Sequence, residues 1–70
     1  MDNIGNIFAA YRKNLKYSQQ DICDKLTGIG IPTKPAAYST WETGNSIPNA
    51  VQFLAMCKIL GITDIFNQFI

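Results

Sequence analysis

Side chains able to do covalent or metal chemistry are few and far apart in this chain of 70 residues. Cys23 and Cys57 are its two thiols and histidine is absent, so the four N or S ligands of a structural zinc site are not on offer. No pair of carboxylates has the spacing of a general acid and base. Gly28-Ile29-Gly30 lacks the preceding strand and the third glycine that a nucleotide-binding loop needs. No enzyme activity, metal or cofactor is therefore expected. Both cysteines fall at apolar helical positions, where a thiol acts as a small hydrophobe, and a cytosolic, reducing location fits them. What remains is non-covalent recognition. Arg12, Lys13 and Lys16 form a basic cluster, Lys34 stands alone, and the run Tyr38-Ser39-Thr40-Trp41-Glu42-Thr43-Gly44 reads as a short helix with a polar, barely charged outer face.

Composition limits what can position these residues. A chain this short buries only about 60% of its unfolded surface, and its net stability is about 4–10 kcal/mol. With 47% hydrophobic residues it is not a disordered tail. No repeat, low-complexity segment or linker divides it, so residues 1–70 are expected to form one domain. The longest apolar run is Phe53 to Cys57, too short to span a membrane. The first residues carry Asp2 and no basic-then-apolar pattern, so no secretory signal is expected. The net charge of +1 is weak for a nucleic-acid binder.

Hydrophobic spacing and local signals predict five helices. Ile4, Ile7, Phe8, Tyr11 and Leu15 share one face of a first helix from Asn3 to about Asn14. Ser18 and Asp21 form a capping box for the second, flanked by Tyr17 and Ile22 at the staple positions; Ile22, Cys23 and Leu26 face inward. The segment from Thr27 to Lys34, with Gly28, Gly30 and Pro32, is expected to interrupt helix. Pro35 suits the first turn of a third helix capped at Lys34, running to Thr43 and ended by a left-handed Gly44. Tyr38 and Trp41 point to the core, and Ala36, Ser39, Thr40 and Thr43 elsewhere. Asn49 and Gln52 cap a fourth helix with a stripe of Phe53, Leu54, Cys57 and Leu60, closed by Gly61. Thr63 is expected to cap a last helix holding Ile65, Phe66 and Phe69. No stretch alternates as a strand does, so the fold class is all-α.

Ser18-Gln19-Gln20-Asp21-Ile22-Cys23-Asp24-Lys25-Leu26, then Tyr38 to Gly44, then Pro48 and Leu54 through Leu60-Gly61-Ile62, resembles the Cro/repressor-type (XRE-like) helix-turn-helix family. The family pattern is a Ser-Gln-x-x-Leu-Ala helix, an Ile-Ser-x-Trp-Glu-x-Gly helix and a proline-containing turn. The resemblance spans Ile4 to about Phe66 and implies a compact five-helix bundle of the phage-repressor DNA-binding-domain type. Between Leu26 and Trp41 this chain is several residues longer than the family's tight turn, which implies a loop through Gly28 to Thr33.

The family resemblance implies a transcriptional regulator, a repressor, that reads double-stranded DNA with its third helix in the major groove while the second crosses the backbone. Pro35, Ala36, Ala37 and Thr40 then occupy the base-facing positions. Only Thr40 among them can hydrogen-bond, and the others offer apolar contact, as to a thymine methyl. Lys34 and Ser39 flank that surface. Gln19, in the first turn of the second helix, matches a phosphate-contacting position, where free N–H groups and the dipole favour an anion. Thr43, Asn45 and Ser46 match positions that touch phosphate or a neighbouring base, and Lys16 adds charge at the edge. Arg12 and Glu42 match an ion pair joining the first and third helices, which removes Arg12 from the DNA-facing charge. Trp41 is read as core. A homodimer on a pseudo-palindromic operator, with half-sites about 34 Å apart, is implied, as is a cytoplasmic, bacterial or phage-encoded protein. Ile65, Phe66, Phe69 and Ile70 are either the dimer surface or core for the last helix, and the chain is open to being the N-terminal piece of a longer regulator. The alternative is a protein-interaction module that keeps the fold without DNA readout, favoured by low charge and the alanines of the third helix.

Overall fold

The computed structural model describes residues 4–70 and has five helices: α1 (Ile4–Asn14), α2 (Gln19–Gly28), α3 (Pro35–Thr43), α4 (Ala50–Leu60) and α5 (Ile65–Phe69). No strand occurs among the described residues, and the all-α class holds. The expected start of α1 at Asn3 lies outside the described residues.

Helix starts follow the local chemistry. The Ser18 hydroxyl accepts the Asp21 amide at 3.0 Å, and the Asp21 carboxylate accepts the Ser18 amide at 2.8 Å. Asn49 and Gln52 repeat the reciprocal box at 2.8 Å in both directions. Each box satisfies two backbone donors that a helix start leaves unpaired. Lys34 holds the extended N-cap position of α3 ahead of Pro35 and contributes no side-chain cap.

Three helices end by one device. The chain turns left-handed at Lys16, Gly30 and Gly61. The following amides of Tyr17, Ile31 and Ile62 reach back to Arg12, Leu26 and Cys57 at 3.1, 2.9 and 2.8 Å. This is the Schellman closure, which turns the next residue onto its own helix; Tyr17 and Ile31 pack against the core and Ile62 is buried in it. It also revises the end of α2. Thr27 and Gly28 are helical, because the left-handed terminator is Gly30 rather than Gly28. Part of the extra length between α2 and α3 is therefore helix, and the remaining segment is anchored by Ile31 and by the Thr33 hydroxyl donating to the Ile31 carbonyl at 2.9 Å.

The core gathers Phe8, Ile22, Cys23, Leu26, Tyr38, Trp41, Met56, Cys57, Leu60, Ile62 and Phe69. Phe8, Phe53 and Phe69 form an aromatic triangle with centroid separations of 5.9, 6.0 and 4.9 Å. Four expectations need correction. Leu15 is 43% exposed, since it follows the end of α1 and the turn at Lys16 carries it off the stripe. Leu54 is 59% exposed: α4 faces inward with Phe53, Met56, Cys57 and Leu60, and Leu54 sits on the flank shared with Val51 and Lys58. Asp64, not Thr63, occupies the cap position of α5, and its carboxylate accepts from the Asn67 side chain at 2.7 Å. The last helix divides its apolar residues, with Phe69 buried, Ile65 half-buried, and Phe66 77% exposed.

Candidate functional site

Glu42 is the point on which α1, α2 and α3 converge. Its carboxylate accepts four hydrogen bonds: Arg12 Nε at 2.7 Å and Nη2 at 3.0 Å, the Tyr38 hydroxyl at 2.5 Å, and Gln19 Nε2 at 3.0 Å. The fork of Arg12 meets both oxygens, the strong bidentate form of the pair, and its Nη1 donates to the Tyr17 carbonyl at 2.9 Å. The Arg12 and Glu42 side chains are only 11% and 9% exposed. Burial alone would push the Glu42 carboxyl up, but the bonds from Arg12, Tyr38 and Gln19 outweigh it and hold the group below its ordinary value. Arg12 is raised chiefly by its bond to Glu42. Tyr38 is raised by burial and then by the Glu42 bond. The expected Arg12–Glu42 pair is present, and Arg12 gives three hydrogen bonds to Glu42 and Tyr17 within the fold.

This cluster sets the pose of α3. Tyr38 and Trp41 are buried and meet edge to face at 5.6 Å, as expected of core residues. Behind them, α1 approaches through Gly5, where an added Cβ would fall within 2.7 Å of the Glu42 Cα and closer still to the Trp41 carbonyl oxygen. Nothing in the spacing of a single sequence marks Gly5 for this role. The Tyr38 and Gln19 bonds to Glu42 were likewise not legible, because they join residues whose approach depends on how helices pack.

The opposite side of α3 carries Ala36, Ser39, Thr40 and Thr43, with Ala36 and Thr43 exposed and Ser39 and Thr40 half-buried. Lys34, Pro35 and Ala37 are exposed at its N-terminal end. Thr40 is more committed than its type suggests: its hydroxyl donates to the Ala37 carbonyl at 2.6 Å and lies 2.5 Å from the Ser46 hydroxyl. A hydroxyl has one proton, so Ser46 is the donor in the second contact and Thr40 retains a methyl group for outside contact. Thr43 donates to the Thr40 carbonyl at 3.2 Å. Asn45, Ser46 and Lys16 are exposed, and neither Asn45 nor Lys34 uses its side chain on another described residue. Gln19 is half-buried beside Glu42. The candidate residues thus belong to α3, its two flanking turns and the start of α2, with Lys16 just before that start.

Burial pushes both the Cys23 and Cys57 thiols up and keeps them protonated. A second surface is apolar. Ile47, Val51, Leu54, Phe66 and Ile70 are exposed, and Leu54 and Ile70 belong to a groove lined also by Ile4, Pro48, Phe53, Ile65 and Phe69. No helix among the described residues is long and apolar enough to cross a membrane. Compared with family models, curated proteins and solved structures, the chain matches none.

Proposed function

We propose that this chain is a sequence-specific double-stranded DNA-binding transcriptional regulator, a repressor of the Cro/repressor helix-turn-helix type. On this reading α2 and α3 are the paired helices, α3 enters the major groove, and two copies bind a pseudo-palindromic operator. The observation that carries it is the two-sidedness of α3. Tyr38, Trp41 and Glu42 hold the inner side against α1 and α2, while Ala36, Ser39, Thr40 and Thr43 keep the outer side narrow and Lys34, Pro35 and Ala37 leave its N-terminal end exposed. A rigid helix with small side chains can approach base edges closely, and the major groove admits a helix.

Direct readout on this surface is mostly apolar: Ala36, Ala37, Pro35 and the Thr40 methyl suit thymine methyl groups, and Lys34 reaches bases or phosphates. Gln19, Lys16, Thr43, Asn45, Ser46 and Ser39 supply the polar border. Phosphate contacts position a protein and base contacts specify the sequence, so a surface this thin leans on DNA shape as well.

A second reading, a protein-interaction module on the same bundle, is favoured by the exposed apolar surface of Ile47, Val51, Leu54, Phe66 and Ile70. The exposed Asp21 and Asp24 on α2 also favour it, since they oppose phosphate. In the regulator reading the same apolar surface joins the two copies. Binding to a random-sequence duplex separates the readings: a DNA binder loses affinity steeply as salt rises. Absence of duplex binding at about 10 µM protein and about 50 mM salt, conditions that favour even non-specific contact, removes the regulator reading.

A further inference from the structure

Gly28 is a glycine that the fold itself does not use. It is helical and exposed, its backbone is not left-handed, and a Cβ added there would meet nothing within 4 Å. The closure of α2 is made at Gly30 instead. Glycine weakens a helix relative to alanine, and nothing inside the chain compensates for it here. What glycine offers at such a place is bare backbone, open to close approach from outside. Gly28 lines a shallow groove with Lys25 and Ile29 from the end of α2 and Lys58 and Ile59 from the end of α4. Gly28 and Ile29 belong to the extra length between α2 and α3, where this chain departs from the helix-turn-helix pattern. Ile29 is 49% exposed and Ile59 half-buried, so the groove presents aliphatic carbon. Its two cations lack a carboxylate partner, since the one ion pair among the described residues joins Arg12 to Glu42. Asp21 is bound to Ser18, Asp24 to Gln20 and Asp64 to Asn67. The Lys25 ammonium lies over the Tyr17 ring, 4.7 Å from its centroid, which steadies it without neutralising it.

We propose that this groove docks an acidic, partly apolar segment of a partner protein. The segment's carboxylates meet Lys25 and Lys58, its apolar side chains cover Ile29 and Ile59, and its backbone rests against Gly28. Charge selects the partner: two ammonium groups without carboxylates, set around aliphatic carbon, complement a segment that carries acids beside apolar residues. An open groove does not enclose a small ligand, which buries most of its surface when bound. A phosphodiester backbone would leave Ile29 and Ile59 uncovered. The groove lies about 14 Å along α2 from Gln19, and the proposal does not rest on the regulator reading.

The test selects, from a display library of random peptides, those that bind the intact chain and not its Lys25→Glu/Lys58→Glu variant. Both lysines are exposed, and circular dichroism checks that the variant keeps its helices; should it not, Gly28→Ala takes its place in the selection. The enriched peptides are expected to carry Asp or Glu beside Leu, Ile or Phe, and to shift the amide resonances of Gly28, Ile29 and Ile59. Replacing their carboxylates by amides should weaken binding about tenfold, the scale of two exposed ion pairs. Gly28→Ala should raise Tm by about 4 °C and yet weaken the same peptides about tenfold, because the new methyl group obstructs the partner's backbone. A purely structural role for Gly28 does not move those two readings in opposite directions. Unchanged peptide affinity in Gly28→Ala, or no loss when the carboxylates are replaced, overturns the proposal, as does a library that yields no such peptide. If a DNA duplex or phosphatidylglycerol vesicles shift these resonances and no peptide does, the lysines serve another anionic surface and the proposal falls.

Discussion

Gly5 lies against the backbone of Trp41 so closely that an added Cβ would overlap the Trp41 carbonyl oxygen and fall within 2.7 Å of the Glu42 Cα. The obstacle is backbone of α3 rather than a flexible side chain, so α1 and α3 must separate to admit even a methyl group. Gly5→Ala is expected to destabilise the fold by about 3 kcal/mol, a large share of so small a domain's stability. Chemical denaturation measures it; a loss under about 0.5 kcal/mol, the range of ordinary surface changes, would show that the contact yields.

The titrating groups set a stability plateau. Glu42, with an ordinary value of 4.5, is depressed in the fold despite its burial, so its contribution is complete above that value and is lost as pH falls through the folded-state value. Asp21, held down chiefly by the Ser18 backbone amide, acts in the same direction below 3.8. Cys23 and Cys57 are raised by burial from 9.0, and Tyr38 from 10.0 by burial and Glu42. Their contributions are complete below those values and decline as pH rises past them. Thermal unfolding is expected to be flat from about pH 5 to about pH 9 and to fall on both sides. Glu42→Gln should lower the plateau and weaken the acid limb; an unchanged acid limb would count against the carboxylate's role.

Lys16 takes φ +63° at the C′ position of α1, where Gly30 and Gly61 serve the same closure on α2 and α4. Left-handed backbone costs a residue with a Cβ about 1 kcal/mol. Lys16→Gly is expected to raise stability by about that amount, or about 4–8 °C in Tm for a domain of this size. On the regulator reading the same change weakens DNA binding and flattens its salt dependence by up to one phosphate contact. Opposite movements of stability and affinity in one variant would be hard to obtain from a change in the fold alone.

Thr40 offers a sharper readout test than simple truncation. Its hydroxyl proton is used on Ala37, which on the regulator reading leaves the methyl as the group for base contact. Thr40→Val keeps the methyl and Thr40→Ser removes it. Selection from a random duplex library is expected to return the same preference for the valine variant and a changed preference at one base pair for the serine variant. The reverse pattern would assign the contact to the hydroxyl.

Phe66 and Phe69 sit on one short helix with opposite surroundings, Phe66 exposed and Phe69 buried against Phe8 and Phe53. Phe69→Ala is expected to cost about 3–5 kcal/mol. On the regulator reading, in which two copies associate, Phe66→Ser should leave monomer stability within about 0.5 kcal/mol and weaken that association in sedimentation measurements. Unchanged association would move the dimer contact away from this end of the molecule.

Much of the architecture was legible because its causes are local. The boxes at Ser18–Asp21 and Asn49–Gln52, the proline start of α3, and the terminators Gly44 and Gly61 act within a few residues, and helical spacing alone put Tyr38 and Trp41 inside. The Arg12–Glu42 pair was foreseen from a family resemblance, not from spacing. Tertiary structure decided the rest. Leu54 and Phe66 satisfy an apolar pattern as well as their buried neighbours do, and only the packing of α4 and α5 leaves them outside. Gly28 and Gly30 are equivalent as punctuation, and the return bond from Ile31 to Leu26 chose the second. Gly5, Gln19 and the Tyr38 hydroxyl take their roles from Glu42 and its backbone. Capping and periodicity are short-range and can be read along a chain, whereas close approach and shared hydrogen bonds exist only once helices distant in sequence are brought together.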